Sequence, residues 1–303
     1  MSGLGGLFAN NLLPVFLVAG AGLVLGNRLR LNPKTLSQII FYLFSPCLLF
    51  RLLSQSQLSN RDITRVLAFS AATILVIGLL AWTGTRFLKL GRQLTAAVLI
   101  TSMFMNAGNY GLPLTAFAFG NDALAYASLV FVANSILSYS LGIVIASLGT
   151  MSFPQAVWGL RKIPAVYAVV FGLLFLTMGW QLPMPLARSV EILGNAAIPS
   201  MLVLLGLQLR TAQWNGEFRP LMLVNGMRLL VAPLLALLMS SWFQLKGAAF
   251  QAGVLESSMP TAVLTTVLAT EYEIEPAFVT LAVFTGTLLS PLTLTPLLAF
   301  LGA

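Results

Sequence analysis

The chain has 303 residues, 58% of them hydrophobic and 8% charged, with a net charge of +8. A soluble domain carries roughly 25% charged residues, so the composition excludes a water-solvated surface and points to the bilayer as solvent. The basic residues stand singly or in short groups between apolar runs, as membrane-protein loops carry them, which excludes nucleic acid as the partner of that charge.

A helix crosses the hydrocarbon core with about 20 residues. In chain order, ten apolar segments fit: 7–26, 36–53, 66–85, 94–117, 123–148, 164–180, 189–209, 220–243, 247–270 and 277–301. No basic region precedes the first, from Met1 to Gly6, so it is expected to be a retained helix rather than a cleaved signal. Main-chain polar groups in lipid must be satisfied internally, and the alternation of a membrane β-barrel is absent. The expected fold class is all-α integral membrane.

With the N-terminus outside, the inner loops hold Arg28, Arg30, Lys34, Arg86, Lys89, Arg92, Arg161, Lys162, Arg210 and Arg219. The outer loops hold the smaller set, Arg51, Arg61, Arg65, Arg188 and Lys246. This bias predicts both termini outside the cytoplasm, in a bacterial inner membrane. Trp82, Trp158, Trp180, Trp214 and Trp242 fall near span ends, as an interfacial aromatic belt does.

The single cysteine, Cys47, lies beside Pro46 in an apolar run and reads as a packing residue. There is no histidine, which removes the commonest general base and metal ligand. An intramembrane enzyme would need a nucleophile–base pair or a metal cluster, so the chain reads as a non-enzyme with no cofactor.

The two halves resemble each other. Pro46 in span 2 matches Pro199 in span 7, and Pro113 in span 4 matches Pro260 in span 9. Five helices is an odd number, so a second copy must insert with opposite orientation. The reading is two inverted five-helix repeats, 1–148 and 164–303, joined by a short cytoplasmic linker, 149–163. Inverted repeats with broken helices at mid-membrane mark secondary transporters.

Two stretches carry the chemistry. In the first, Pro113 lacks an N–H and clashes with the carbonyl of Asn109, while Gly108 and Gly111 weaken the helix further. A break there frees polar main chain, and Asn106 and Asn109 offer uncharged donors suited to a carboxylate held weakly and reversibly. In the second, Pro260 is expected to break span 9 beside Glu256, Ser257 and Ser258. A lone carboxylate inside a span is expensive and suggests coupling to Na⁺ or H⁺, with Glu256 as a candidate Na⁺ ligand; the other reading is a structural partner for Arg228 or for freed main chain. Arg228, well inside span 8, reads either as snorkelling to the cytoplasmic interface, the favoured reading, or as a substrate contact. Asn134, Ser135 and Ser138 read as helix-packing residues, Tyr110 as core, and Asp122 as a helix N-cap.

Asn106-x-Gly108-Asn109-x-Gly111-Leu112-Pro113 resembles the fourth-span crossover of the auxin efflux carrier family. Met227 to Pro233 resembles that family's eighth helix, and Met259, Pro260, Ala269, Glu271, Tyr272, Ser290 and Pro291 resemble its last two. The resemblance runs along essentially the whole chain. It implies the fold of bile acid/sodium symporters: helices 1, 2, 6 and 7 as a scaffold that dimerises, and helices 3–5 and 8–10 as a transport domain crossing at Pro113 and Pro260. The implied activity is elevator-type alternating access for a small organic anion, such as malate, malonate, lactate or an auxin-like acid. The resemblance assigns substrate contacts to Asn106, Gly108, Asn109, Gly111, Ser257 and Ser258. Plant members tend to have Gln where this chain has Glu256, whereas sodium-coupled relatives of the wider fold place a Glu there. The alternative reading is a cation/proton antiporter on a similar crossover fold.

Overall fold

The computed structural model describes residues 3–29, 31–56, 58–147, 163–209 and 217–303. Arg30, Arg161, Lys162, Arg210, Trp158, Trp214 and nearly all of the 149–163 linker lie outside the described residues. The elements are α1 (Leu4–Leu29), α2 (Pro33–Ser54), α3 (Asn60–Phe87), α4 (Arg92–Met103), α5 (Ala107–Ala146) and α6 (Pro164–Met178). They continue with α7 (Met184–Leu209), α8 (Phe218–Trp242), α9 (Gly247–Ser257), α10 (Leu264–Glu271), α11 (Pro276–Leu289) and α12 (Pro291–Leu301). Among the described residues the fold is all-helical, with one isolated β-bridge between Met105 and Thr261.

By length and apolarity, 6 helices can cross a membrane, or 7 if the α11–α12 pair, bent by 49°, is one span. That is fewer than the ten segments expected. The shortfall lies where helices are interrupted or short: α6 has 15 residues, α4 has 12, α9 has 11 and α10 has 8. Within α5, Gly120 takes φ 73° and ψ −165°, a conformation open to glycine, and the helix turns sharply there.

The prolines act differently from expectation. Pro14, Pro46, Pro113 and Pro233 each follow a single widened, π-helical turn. The residue just before each proline donates its N–H one position further back than in an α-helix: Leu13 to Phe8, Ser45 to Ile40, Leu112 to Ala107, and Ala232 to Met227. The extra residue absorbs the clash between the ring and the preceding turn, so the helix continues. Pro113 therefore sits in the first turn after an interruption and does not make it. The interruption lies earlier, at Phe104–Asn106, where Phe104 is extended. Pro260, by contrast, lies inside the gap between α9 and α10. The two prolines thus occupy different places relative to their breaks, and superimposing them misaligns the halves.

Helices α1, α2, α6 and α7 pack closely through small residues. A Cβ at Gly206 would lie 1.8 Å from the Ala19 carbonyl oxygen, and one at Gly22 would lie 2.3 Å from that of Val203. Small residues let membrane helices approach backbone to backbone. Phe69, Phe104, Tyr110, Leu255 and Phe278, all fully buried, belong to one apolar core that also takes in Leu12, Leu53, Val169 and Leu205 of α1, α2, α6 and α7.

Candidate functional site

The interruptions between α4 and α5 and between α9 and α10 cross as antiparallel extended strands. Asn106 N–H donates to the Pro260 carbonyl at 2.8 Å, and Ala262 N–H donates to that of Phe104 at 2.8 Å. Main chain freed inside a membrane protein must find partners, and here it does. The Thr101 carbonyl accepts from Thr261 Oγ1 at 2.9 Å, and that of Met105 accepts from Asn134 Nδ2 at 3.0 Å. Asn134 thus holds the break open, beyond the packing role expected of it.

Arg228 supplies the rest. Its guanidinium donates to the carbonyls of Met259 (3.0 Å), Ser257 (2.8 Å) and Ser102 (3.4 Å). At 2% exposure it is buried and does not snorkel. Burial beside unwound backbone favours the crossing, because the free carbonyls solvate the guanidinium as interface water would. The sequence shows an Arg in a span; that its partners are carbonyls from two distant helices is a tertiary fact.

A cavity of about 130 Å³ lies beside the crossing. One wall is Ser37, Ile40, Phe41 and Ser45 of α2 with Met201, Leu204 and Gln208 of α7. The other is Asn106, Gly108 and Asn109, with Phe131, Asn134, Ser135 and Tyr139 of α5 and Ala262–Leu264 at the start of α10. Two helix beginnings therefore border the cavity, and a helix N-terminus presents N–H groups and a partial positive charge. Asn106 is 4% exposed, and its Nδ2 has no hydrogen-bond partner. Asn109 Nδ2 reaches only Gln208 Oε1, at 3.5 Å.

The other expected site residues sit elsewhere. Ser257 and Ser258 are buried off the cavity, with Ser258 Oγ donating to Val254. Ala262 and Val263 at the end of the break, with Leu264 and Val267 of α10, take the lining place in that half. Gly111 packs on Glu256: a Cβ there would lie 2.0 Å from Glu256 Oε2. Glu256 is fully buried; Oε1 accepts from Thr115 Oγ1 at 3.0 Å and Oε2 is without a partner. Tyr110 is core, its hydroxyl 3.0 Å from Ser290 Oγ and its ring edge-on to Phe16.

A larger cavity of about 520 Å³ shares Ser37, Gln208, Val263 and Val267 with the first and extends past Lys34 and Thr270. At the other end, a polar cavity of about 880 Å³ is lined by Arg51, Asp122, Glu191 and Asn195. Leu48, Leu112, Leu124, Met201 and Ala252 belong to a buried apolar cluster between the two ends. Among the described residues no group of three or more Asp, Glu or Cys is placed to hold a metal ion.

Comparison with known proteins agrees with this architecture. The profile of the "Membrane transport protein" family matches residues 7–156 and 148–298. An uncharacterized transporter of Methanothermobacter thermautotrophicus is 29% identical over 87% of each chain. Auxin efflux carrier component 8 of Arabidopsis thaliana is 27% identical over 49% of this chain and 42% of its own. A Rhizobium meliloti protein named provisionally as a malonate transporter is 25% identical over 87% of this chain and 85% of its own. An all-helical chain with apolar membrane-length helices, matched along both halves, belongs to the membrane transport protein family that includes the auxin efflux carriers.

Proposed function

We propose that the chain carries a small organic anion across the membrane, binding its carboxylate at the crossed breaks. The observation behind this reading is the Asn106 amide: a buried donor without a partner, facing a cavity that two helix beginnings also border. Leaving such a donor unsatisfied costs about 1–3 kcal/mol, which a carboxylate acceptor would relieve. Asn109 and Gly108 complete the contact, while Ser257, Ser258 and Gly111 support the backbone. A malonate transporter name and an auxin carrier name among the relatives fit this substrate class.

In this reading the chain forms ten spans in two inverted repeats, in a plasma membrane with both termini outside. Helices α1, α2, α6 and α7 are a fixed scaffold that pairs with a second copy, and the remainder moves as an elevator. The cavity past Lys34 is the cytoplasmic entry, and the apolar cluster of Leu48 and Leu124 closes the opposite side. Glu256 is the coupling position, for Na⁺ or H⁺. The antiporter reading has less support, because the lining of the cavity includes the uncharged amides of Asn106 and Asn109 and no carboxylate.

The test is uptake of radiolabelled malonate, malate, lactate and indole-3-acetate into proteoliposomes. Wild type is expected to take up at least one of them, and Asn109→Ala to lower that uptake at least tenfold while inserting normally. Equal uptake by the variant would remove Asn109 from the site.

A further inference from the structure

We propose that Arg228 is the resident cation of the crossing, filling the place a bound sodium ion would otherwise take between the carbonyl ends of α4 and α9. Both helices end at the crossing, so their partial negative charges face the same spot. In transporters built on broken helices, unwound carbonyls and half-helix C-termini are the groups that coordinate sodium. Here the Ser102, Ser257 and Met259 carbonyls are already claimed by one guanidinium. Its planar fork reaches several acceptors at once and stays charged, which a lysine in that place would not match.

Arg228 is absent from the cavity lining and is within hydrogen-bond reach of main chain only. It is a positioning residue: it fixes the strands that carry Asn106, and its charge lies behind the proposed carboxylate site. The assignment deepens the transporter reading by withdrawing the crossing carbonyls as ligands for a coupling sodium ion. It rests on that reading only where uptake is measured.

The experiment uses the purified full-length protein, its melting temperature followed in sodium, potassium and choline chloride at equal ionic strength. Wild type is expected to melt at the same temperature in all three. Arg228→Ala should melt lower, and millimolar methylguanidinium should raise the variant's melting temperature without moving that of wild type. Arg228→Lys should fall between them. A saturable rise of wild-type melting temperature specific to sodium would overturn the assignment, and this arm needs no variant. So would an Arg228→Ala protein that melts like wild type, or one that methylguanidinium leaves unchanged. The expected melting pattern together with no uptake of any organic acid by wild type would sink the transporter reading and leave the Arg228 assignment standing.

Discussion

At the residue scale, the site depends on small side chains that leave room for polar ones. Gly111 matters for the Cβ it lacks, since Glu256 Oε2 occupies that space. Gly111→Ala is expected to destabilise the protein by about 1–3 kcal/mol, the range for overpacking a tight interior. Shortening the carboxylate should relieve the clash, so Gly111→Ala with Glu256→Ala should cost less than the sum of the two single changes. A double-mutant cycle on thermal or denaturant melting checks this, and strict additivity would mean the contact is not tight. The sequence marks Asn106, Gly108 and Asn109 because polar residues beside glycines in an apolar span are conspicuous. It does not reveal that Gly111 serves Glu256, because they are distant in the chain and meet only through packing.

At the element scale, interrupted spans are easier to foresee than the place of interruption. Glycines and a proline in 106–113 announce irregular backbone, yet the helix is interrupted at Phe104–Asn106, ahead of both, where Phe104 is extended. The proline signal is shared by two outcomes: a widened turn at Pro14, Pro46, Pro113 and Pro233, and a true gap at Pro260. The proline alone does not say which one occurs. Replacing Pro113 restores an N–H donor, and the turn can tighten to an α-turn. Pro113→Ala is therefore expected to leave stability nearly unchanged but turn Asn109 relative to Gln208, lowering substrate affinity several-fold. Binding and melting measured on the same preparation separate the two; an equal loss in both would mean that Pro113 acts on the fold alone.

At the scale of the whole molecule, charge is laid out along the crossing. Helix beginnings face the cavity, helix ends face Arg228, and the two strands between them are tied by Asn106 and Ala262. Composition announces a membrane protein at once, and the all-helical class follows from the solvent. The span count is less legible, because short and bent helices such as α4, α9 and α10 do not qualify as crossings by themselves. Cavities lie at both ends, about 520 Å³ past Lys34 and about 880 Å³ beside Arg51, with the apolar cluster of Leu48 and Leu124 buried in the same body. A carrier should bind its substrate without a gradient, and a ligand that prefers the folded state raises its melting temperature by mass action.

The most direct measurement is therefore the melting temperature of detergent-purified protein titrated with short mono- and dicarboxylates, alongside Asn106→Ala. The account predicts a saturable rise for at least one acid with wild type and no rise with the variant. A flat response of wild type to every carboxylate, or the same rise in Asn106→Ala, would contradict it.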